Sequence, residues 1–335
     1  MTLNIAMFGA GRIGRVHATA LASDPRARLA AVHDVMTGAA DALASEHGAT
    51  VRSPEAIFAD RSIDAILIAS STNTHAELIE AGVAAGKAVF CEKPIDLSLE
   101  RALAVLGTVR AGDCPVMMGF NRRFDPNFAA LKAAFDGGEI GKGELLAITS
   151  FDPGPPPLDY VKVSGGLFRD MMIHDLDICA WLFGMPAKVT ATASCLVDPN
   201  IGVAGDVDTA VVTLRWPDGR IATIRNSRRA TYGYDQRIEL LGSEGMLEVG
   251  NVGENTVRKS SAPGVLSAKP LHFFLERYME AYRAELSAFV SAVIDGTPVP
   301  ATVQDGVNAL ALAEAATLSL ADQRTIAMAP EMTGG

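Results

Sequence analysis

Positive charge is the first thing this chain is short of. Its 335 residues carry 29 lysines and arginines against 39 acids, a formal net charge of −10. A surface of that sign does not gather phosphate backbones or anionic lipid by bulk attraction, so neither nucleic acid nor membrane is expected as a partner. Cysteine is scarce as well. The four present, Cys91, Cys114, Cys179 and Cys195, show no Cys-x-x-Cys spacing. They read as free thiols of a reducing compartment rather than zinc ligands or a disulfide framework. No apolar run approaches the ~20 residues a membrane-spanning helix needs. The first apolar strand begins within four residues of Met1, which leaves no room for a signal peptide, so a cytoplasmic protein is expected. What remains is 49% hydrophobic and 20% charged, a composition that folds, over a length that suggests two domains.

What the chain does have is concentrated at its start. Asn4-Ile-Ala-Met-Phe8 reads as a buried strand, followed at once by Gly9-Ala-Gly11-Arg12-Ile13-Gly14 and a helix-compatible stretch from Ile13 to Ala22. Twenty residues after Gly14, Asp34 ends a second apolar run, Leu29-Ala-Ala-Val-His-Asp34. Those parts, in that order, make up the dinucleotide-binding fingerprint, whereas Gly-x-Gly-x-x-Gly alone is weak evidence. Gly9 permits the tight turn, Gly11 lets the backbone approach a pyrophosphate, and Gly14 lets helix and strand pack closely. The helix start turns N–H groups and a positive dipole end toward the phosphates. Asp34 can accept hydrogen bonds from both adenosine ribose hydroxyls and would repel a 2′-phosphate. No Arg or Lys stands immediately beside it, since Val35-Met36-Thr37-Gly38 follows, so NAD is expected rather than NADP.

Residues 1–120 alternate strand and helix. Strands are expected over 4–8, 28–33, 64–69, 87–91 and 115–119, with helices such as Thr74 to Ala85 and Ser98 to Ala111, the latter capped by Ser98. Continuous apolar strands separated by helices imply a parallel sheet, a Rossmann-type α/β domain. From 121 to 335 the pattern changes. A helix (Pro126 to Phe135) and a strand (Glu144 to Phe151) lead into the loop Asp152-Pro-Gly-Pro-Pro-Pro157, then a helix from Met172 to Phe183. Strands follow over Lys188–Cys195, Asp208–Trp216, Arg220–Ser227 and Tyr234–Leu241. Ala210, Val212, Leu214 and Trp216 share one face, a period of two that fits an antiparallel sheet with one face on the core. Helices over His272–Val293 and Val303–Ala321 end the chain, and a late helix is expected to pack back on the first domain.

Three segments outside the fingerprint could do chemistry. Lys93, in Cys91-Glu92-Lys93-Pro94, follows a parallel strand, where such sheets bind ligands. It could stabilise a developing alkoxide, or be an ordinary solvated lysine. In Asp170-Met-Met-Ile-His174-Asp175-Leu-Asp177, helical spacing makes Asp170 and His174 neighbours, a pairing suited to general acid–base work near neutral pH. The alternatives are a helix cap with a solvated histidine, or a metal site of Asp170, His174, Asp175 and Asp177. Against the metal, Asp175 faces away from the other pair, and none is expected. Arg122 and Arg123 open the second domain, as substrate contacts or as an interdomain salt bridge. Tyr232-Gly-Tyr234-Asp-Gln236 offers aromatic and hydrogen-bonding groups suited to a polyol, or simply to packing.

Together the fingerprint, Asn73-Thr-His75, Glu92-Lys93-Pro94 and the Asp-x-x-x-His helix resemble the Gfo/Idh/MocA oxidoreductase family over essentially the whole chain. Residues 152–160, 165–177 and 232–237 look like its inositol 2-dehydrogenases. The resemblance implies a Rossmann domain joined to an α/β domain with a large, open, mostly antiparallel sheet, assembled as a tetramer through the sheet faces. It implies Lys93, Asp170 and His174 as catalytic set, and Arg123, Asp152, Asp177 and Tyr234 near the sugar ring. Around the cofactor it implies Arg12, Ile13, Ser71, Asn73, His75, Glu92 and Lys93 beside the glycines and Asp34. Oxidation of a cyclic polyol by NAD, myo-inositol to the 2-keto inosose, is the expected reaction. An aldose or scyllo-inositol dehydrogenase, and a silent nucleotide sensor, are its rivals. One departure bears on substrate: Phe151 stands where arginine is expected.

Overall fold

The structure is a computed structural model and describes residues 2–329, 332 and 334. The first part of the chain runs β1 (Leu3–Phe8), α1 (Arg12–Leu21), β2 (Ala27–His33), α2 (Thr37–His47), β3 (Thr50–Val51), α3 (Pro54–Ala59), β4 (Ala65–Ile68), α4 (His75–Ala84), β5 (Ala88–Glu92), α5 (Leu99–Ala111) and β6 (Val116–Gly119). The second part runs α6 (Pro126–Asp136), β7 (Gly143–Phe151), α7 (Leu158–Val161), α8 (Gly166–Asp170), α9 (Ile173–Phe183), β8 (Lys188–Ser194), α10 (Pro199–Val203), β9 (Thr209–Arg215), β10 (Ile221–Ser227) and β11 (Asp235–Gly242). It ends with β12 (Met246–Val249), β13 (Arg258–Ser261), β14 (Gly264–Ser267), α11 (Phe274–Arg277), α12 (Met279–Asp295), α13 (Val303–Asp322) and β15 (Ile326–Ala327). Two compact units result. One takes residues 2–125 and 279–311, the other 126–278 and 312–329.

In the first unit β1–β6 form a sheet of order β3-β2-β1-β4-β5-β6, every pairing parallel. The crossover connections a parallel sheet requires are the helices read from the sequence. All of β4 and β6 is buried, which is why these strands are uninterrupted apolar runs. Ser98 caps α5 as expected, its Oγ accepting from Arg101 N at 3.3 Å. The late helix α12 lies in this unit against α1. Its Leu286, Phe289 and Val290 are fully buried, a face worth about 1.5–3 kcal/mol for each large apolar side chain.

In the second unit the sheet order is β12-β11-β7-β10-β9-β8-β15. Among the described residues β7–β10 is its parallel pair and the other pairings are antiparallel. Ala210, Val212, Leu214 and Trp216 are buried, as the alternation predicts. Pro217-Asp218-Gly219 makes the turn into β10, with Gly219 at φ +97°. Two expectations need correction. The helix expected over His272–Val293 is two helices, interrupted at Tyr278, whose buried ring meets Tyr234 edge-on. The stretch from Asp170 to Phe183 is also broken: Asp170 closes α8, and His174 is the second residue of α9. No single helical register therefore relates that pair. The amides of Met171 and Met172 both return to Leu167 O (3.0 and 2.9 Å), turning the chain between the two helices.

Candidate active site

The glycine loop is where local sequence dictates geometry most directly. Gly9 sits at φ +100°, and a Cβ there would lie 2.4 Å from Ala69 O, just beyond β4. A Cβ on Gly14 would lie 2.1 Å from Gly9 O. These two glycines are demanded by the protein itself. Gly11 is not, because a Cβ built on it meets no protein atom within 4 Å. That leaves open space at the start of α1, where a pyrophosphate fits. Nor does any side chain cap α1, whose N-cap residue is Gly11 itself, so its first amides face that space without a protein anion.

Asp34 follows β2 and is fastened to this loop. Its Oδ2 accepts from Ala10 N at 2.6 Å and its Oδ1 from Met36 N at 2.7 Å. A carboxylate offers about four acceptor positions, so two remain for ribose hydroxyls. Val35 and Met36 beside it are exposed. Ser71 and Asn73 are exposed at the turn after β4.

His75, expected beside the cofactor, is buried. Nδ1 lies 2.7 Å from Pro94 O and Nε2 3.1 Å from Ser70 O. Burial pushes its pKa below the ordinary histidine range, against the pull of the two carbonyls. The lowered pKa favours the neutral ring. Its work is to tie the loop after β4 to the loop that carries Lys93.

Glu92 and Lys93 stand where β5 ends. Glu92 Oε1 contacts Nε2 of His17 at 2.7 Å, and Glu92 Oε2 accepts from Lys93 N at 3.2 Å. His17 was not singled out from the sequence, yet it is fully buried on α1, edge-on to Phe90 and Tyr282. Its signal was present: a histidine three residues after Gly14, on the helix face that also buries Val16, Ala18 and Leu21. Glu92 is therefore bound to the protein's own histidine. Arg123 is likewise engaged. Its guanidinium pairs with Asp305 Oδ1 (3.1 Å), donates to Pro300 O (3.1 Å) and lies over the Phe120 ring, all within the first unit. Burial works against the Asp305 carboxylate, but Arg123 and Thr302 hold it below the ordinary range. The Arg123–Asp305 ion pair lies inside one unit.

In the second unit His174 is half-buried on the first turn of α9, while its neighbours Ile173, Asp175, Leu176 and Asp177 are buried. What fixes that helix is Asp175. Its Oδ1 accepts from Ser150 Oγ (2.6 Å) on β7 and its Oδ2 from Asn226 Nδ2 (2.8 Å) on β10. Ser150 also reaches Gln236 Oε1 on β11 at 3.1 Å. Three strands thus anchor the residue next to His174, a network of buried partners scattered over the sequence and missed by reading it. Among the described residues no group of three or more His, Cys, Asp or Glu is placed to hold a metal ion.

Asp170 receives the Tyr160 hydroxyl on Oδ1 at 2.9 Å, and its Oδ2 lies 3.5 Å from Nη2 of Arg228. Asp152 follows β7, its amide donating to Ser227 O (2.9 Å) and its carbonyl accepting from Ala230 N (2.6 Å). Tyr234 is buried and packs edge-on to Phe273 and Tyr278. Beside it, Gly233 takes φ +131°, and a Cβ there would lie 2.8 Å from Pro270 O. Phe151 is half-buried at the end of β7.

A six-stranded sheet of order 3-2-1-4-5-6, with its glycine loop at the reversal of strand order, defines a dinucleotide-binding protein. The chain belongs to the GFO/IDH/MocA oxidoreductase family: residues 3–120 match its NAD-binding Rossmann fold and residues 128–248 its C-terminal domain. Among characterised relatives it is 49% identical to the inositol 2-dehydrogenase of Rhizobium meliloti (strain 1021), over 98% of this chain and 100% of that one. A crystal structure of a myo-inositol dehydrogenase from Corynebacterium glutamicum superposes with a TM-score of 0.94 at 45% identity, covering 98% of this chain and 100% of the other. The scyllo-inositol dehydrogenase of Lactobacillus casei, solved with NAD(H) and scyllo-inositol, gives 0.90 at 30% identity over 98% and 99%. No helix among the described residues is long and apolar enough to cross a membrane.

Proposed function

We propose that the chain oxidises myo-inositol at C2 to 2-keto-myo-inositol, with NAD as the oxidant. The carrying observation is 49% identity over nearly the whole length to an inositol 2-dehydrogenase, with glycine loop, Lys93, Asp170 and His174 all present. The glycine loop and Asp34 would hold NAD, which would supply the acceptor for the hydride. His174 accepts the hydroxyl proton, Asp170 orients that base, and Lys93 holds the oxygen as it becomes more anionic. Asp152, Asp177 and Tyr234 contact ring hydroxyls. Mixing the purified protein with NAD and a panel of inositols and aldoses, and following reduced-nicotinamide absorbance, tests this. Reduction by myo-inositol above all others is expected. Preference for scyllo-inositol or an aldose replaces the substrate, and no reduction by any polyol points to a nucleotide sensor.

Asp34 directs the choice of cofactor: catalytic efficiency with NAD should far exceed that with NADP. Asp34→Ala with Val35→Arg should narrow the gap. Equal efficiency of the unaltered enzyme with both would sink this assignment.

The working form is a homo-oligomer, a tetramer joined through the 188–241 strands, in the cytoplasm. Support for association comes from a cross-strand row of apolar side chains, Ile221–Leu145–Leu241–Met246, paired in register and each at least 40% exposed. Exposed rows of this kind are liabilities unless covered. Light scattering at micromolar concentration should give the mass of an oligomer, and a monomer would refute it.

A further inference from the structure

Among the described residues Arg228 has the largest fully buried side chain, at 1% exposure. A guanidinium taken out of water to that extent is costly unless anions compensate it. Two do. A single nitrogen, Nη2, lies 3.5 Å from Asp170 Oδ2 and 3.7 Å from Asp206 Oδ2. The backbone of Arg228 is itself fixed just beyond β10, its amide donating to Asp208 O at 2.9 Å. The cation is therefore held by the sheet, and the two carboxylates gather around it.

Those carboxylates serve opposite ends of α8. Asp206 Oδ1 accepts from Leu167 N at 2.9 Å, in the first turn. The fit is close: Gly166 sits at φ +81°, and a Cβ there would lie 2.6 Å from the same oxygen. Asp170 is the last residue of α8, with its other oxygen taken by the Tyr160 hydroxyl. A helix of five residues has almost no stability of its own, so its position is whatever its tertiary contacts make it.

We infer that Arg228 is a positioning residue for turnover: one buried guanidinium clamps both ends of α8 and so fixes the carboxylate of Asp170. The inference rests on the proposed role of Asp170 as orienter of the catalytic base. Without the cation, two carboxylates that shared one nitrogen are left facing each other, and their repulsion displaces the end of α8 that carries Asp170.

The test is a double-mutant cycle. Arg228→Met and Arg228→Lys are measured alone and in the Asp170→Asn background, reading kcat and KM for myo-inositol, the NADH dissociation constant and the melting temperature. Arg228→Met should lower kcat roughly 10- to 100-fold, part of the 10²–10⁴ that positioned acid–base groups contribute. KM should change less than about threefold and NADH binding not at all, and Arg228→Lys should recover part of the loss. In Asp170→Asn, adding Arg228→Met should cost less than about threefold more, since residues acting through one another are not additive. A full multiplicative loss there marks a merely structural role and overturns the inference. So does an impaired Asp170→Asn beside an unimpaired Arg228→Met. Normal turnover in Asp170→Asn instead overturns the reading of Asp170, and the inference with it. Should Arg228→Met not fold, Arg228→Gln serves in its place, removing the charge while keeping an amide donor, with the same non-additive loss expected.

Discussion

The two units place their chemistry by different means. In the first, backbone geometry does the work: Gly9 and Gly14 are required by carbonyls a few ångströms away, and the loop they form is defined within six residues. In the second, buried side chains do it: Asp175 is held from β7 and β10, and Asp170 by Tyr160 and a buried arginine on another strand connection. A backbone site is written in contiguous sequence. A side-chain site is written across about a hundred residues and becomes visible only when they fold together.

The sharpest contrast lies inside the glycine loop. Gly14→Ala forces a Cβ to within 2.1 Å of a backbone oxygen, so the first unit should lose several kcal/mol, and NADH binding with it. Gly11→Ala should leave thermal unfolding unchanged and weaken NADH binding alone. Equal melting temperatures for the two variants would mean that the loop is not built as described. Next come the proposed catalytic groups: Lys93→Ala and His174→Ala should each lower kcat by about 10²–10⁴ with NADH affinity retained. Near-normal turnover in both would put the catalytic groups elsewhere.

A smaller effect probes the second unit. Asp175→Ala removes the buried carboxylate that accepts from both the Ser150 hydroxyl and the Asn226 amide, at a cost of about 1–3 kcal/mol, readable as a lower melting temperature. Asp175→Asn should lose less, because it keeps one acceptor. The smallest effect is a dependence on pH. Burial pushes Asp208 up, but the amides of Asp198, Leu196 and Val197 outweigh it and bring the carboxyl down to about 2. Its contribution to stability is complete above its ordinary value near 3.8 and is lost as pH falls toward 2. Asp208→Asn should flatten that part of an acid-unfolding curve, and an unchanged curve would remove Asp208 from the account.

The parallel sheet and fingerprint were legible because glycine spacing, apolar runs and the acid after β2 are local signals. The break between Asp170 and His174 was not. Asp-x-x-x-His reads as one helical face, and nothing nearby announces that α8 ends at Asp170 and α9 begins only at Ile173. Asp175 was visible as a residue facing away from the pair, but what it faces, Ser150 and Asn226, lies 25 and 51 positions away. His17 could have been noticed as an imidazole on an apolar helix face, and its partner Glu92 is 75 residues on. The parallel pairing of β7 with β10 had no local mark, since β8 and β9 intervene in sequence but lie on one side of the pair in space.

Asp34 carries a lesson for anyone who wants this enzyme to run on the phosphorylated cofactor. The customary exchange deletes the acid and adds a cation beside it. Here the same carboxylate also receives the amides of Ala10 and Met36. Deleting it would unfasten the glycine loop while changing its selectivity, so redesigned variants would look poor for reasons of folding rather than recognition. Asparagine or serine at 34, able to keep an acceptor for one of those amides, is the sounder starting point. The loss that remains would then measure how tightly cofactor choice and loop architecture are welded together.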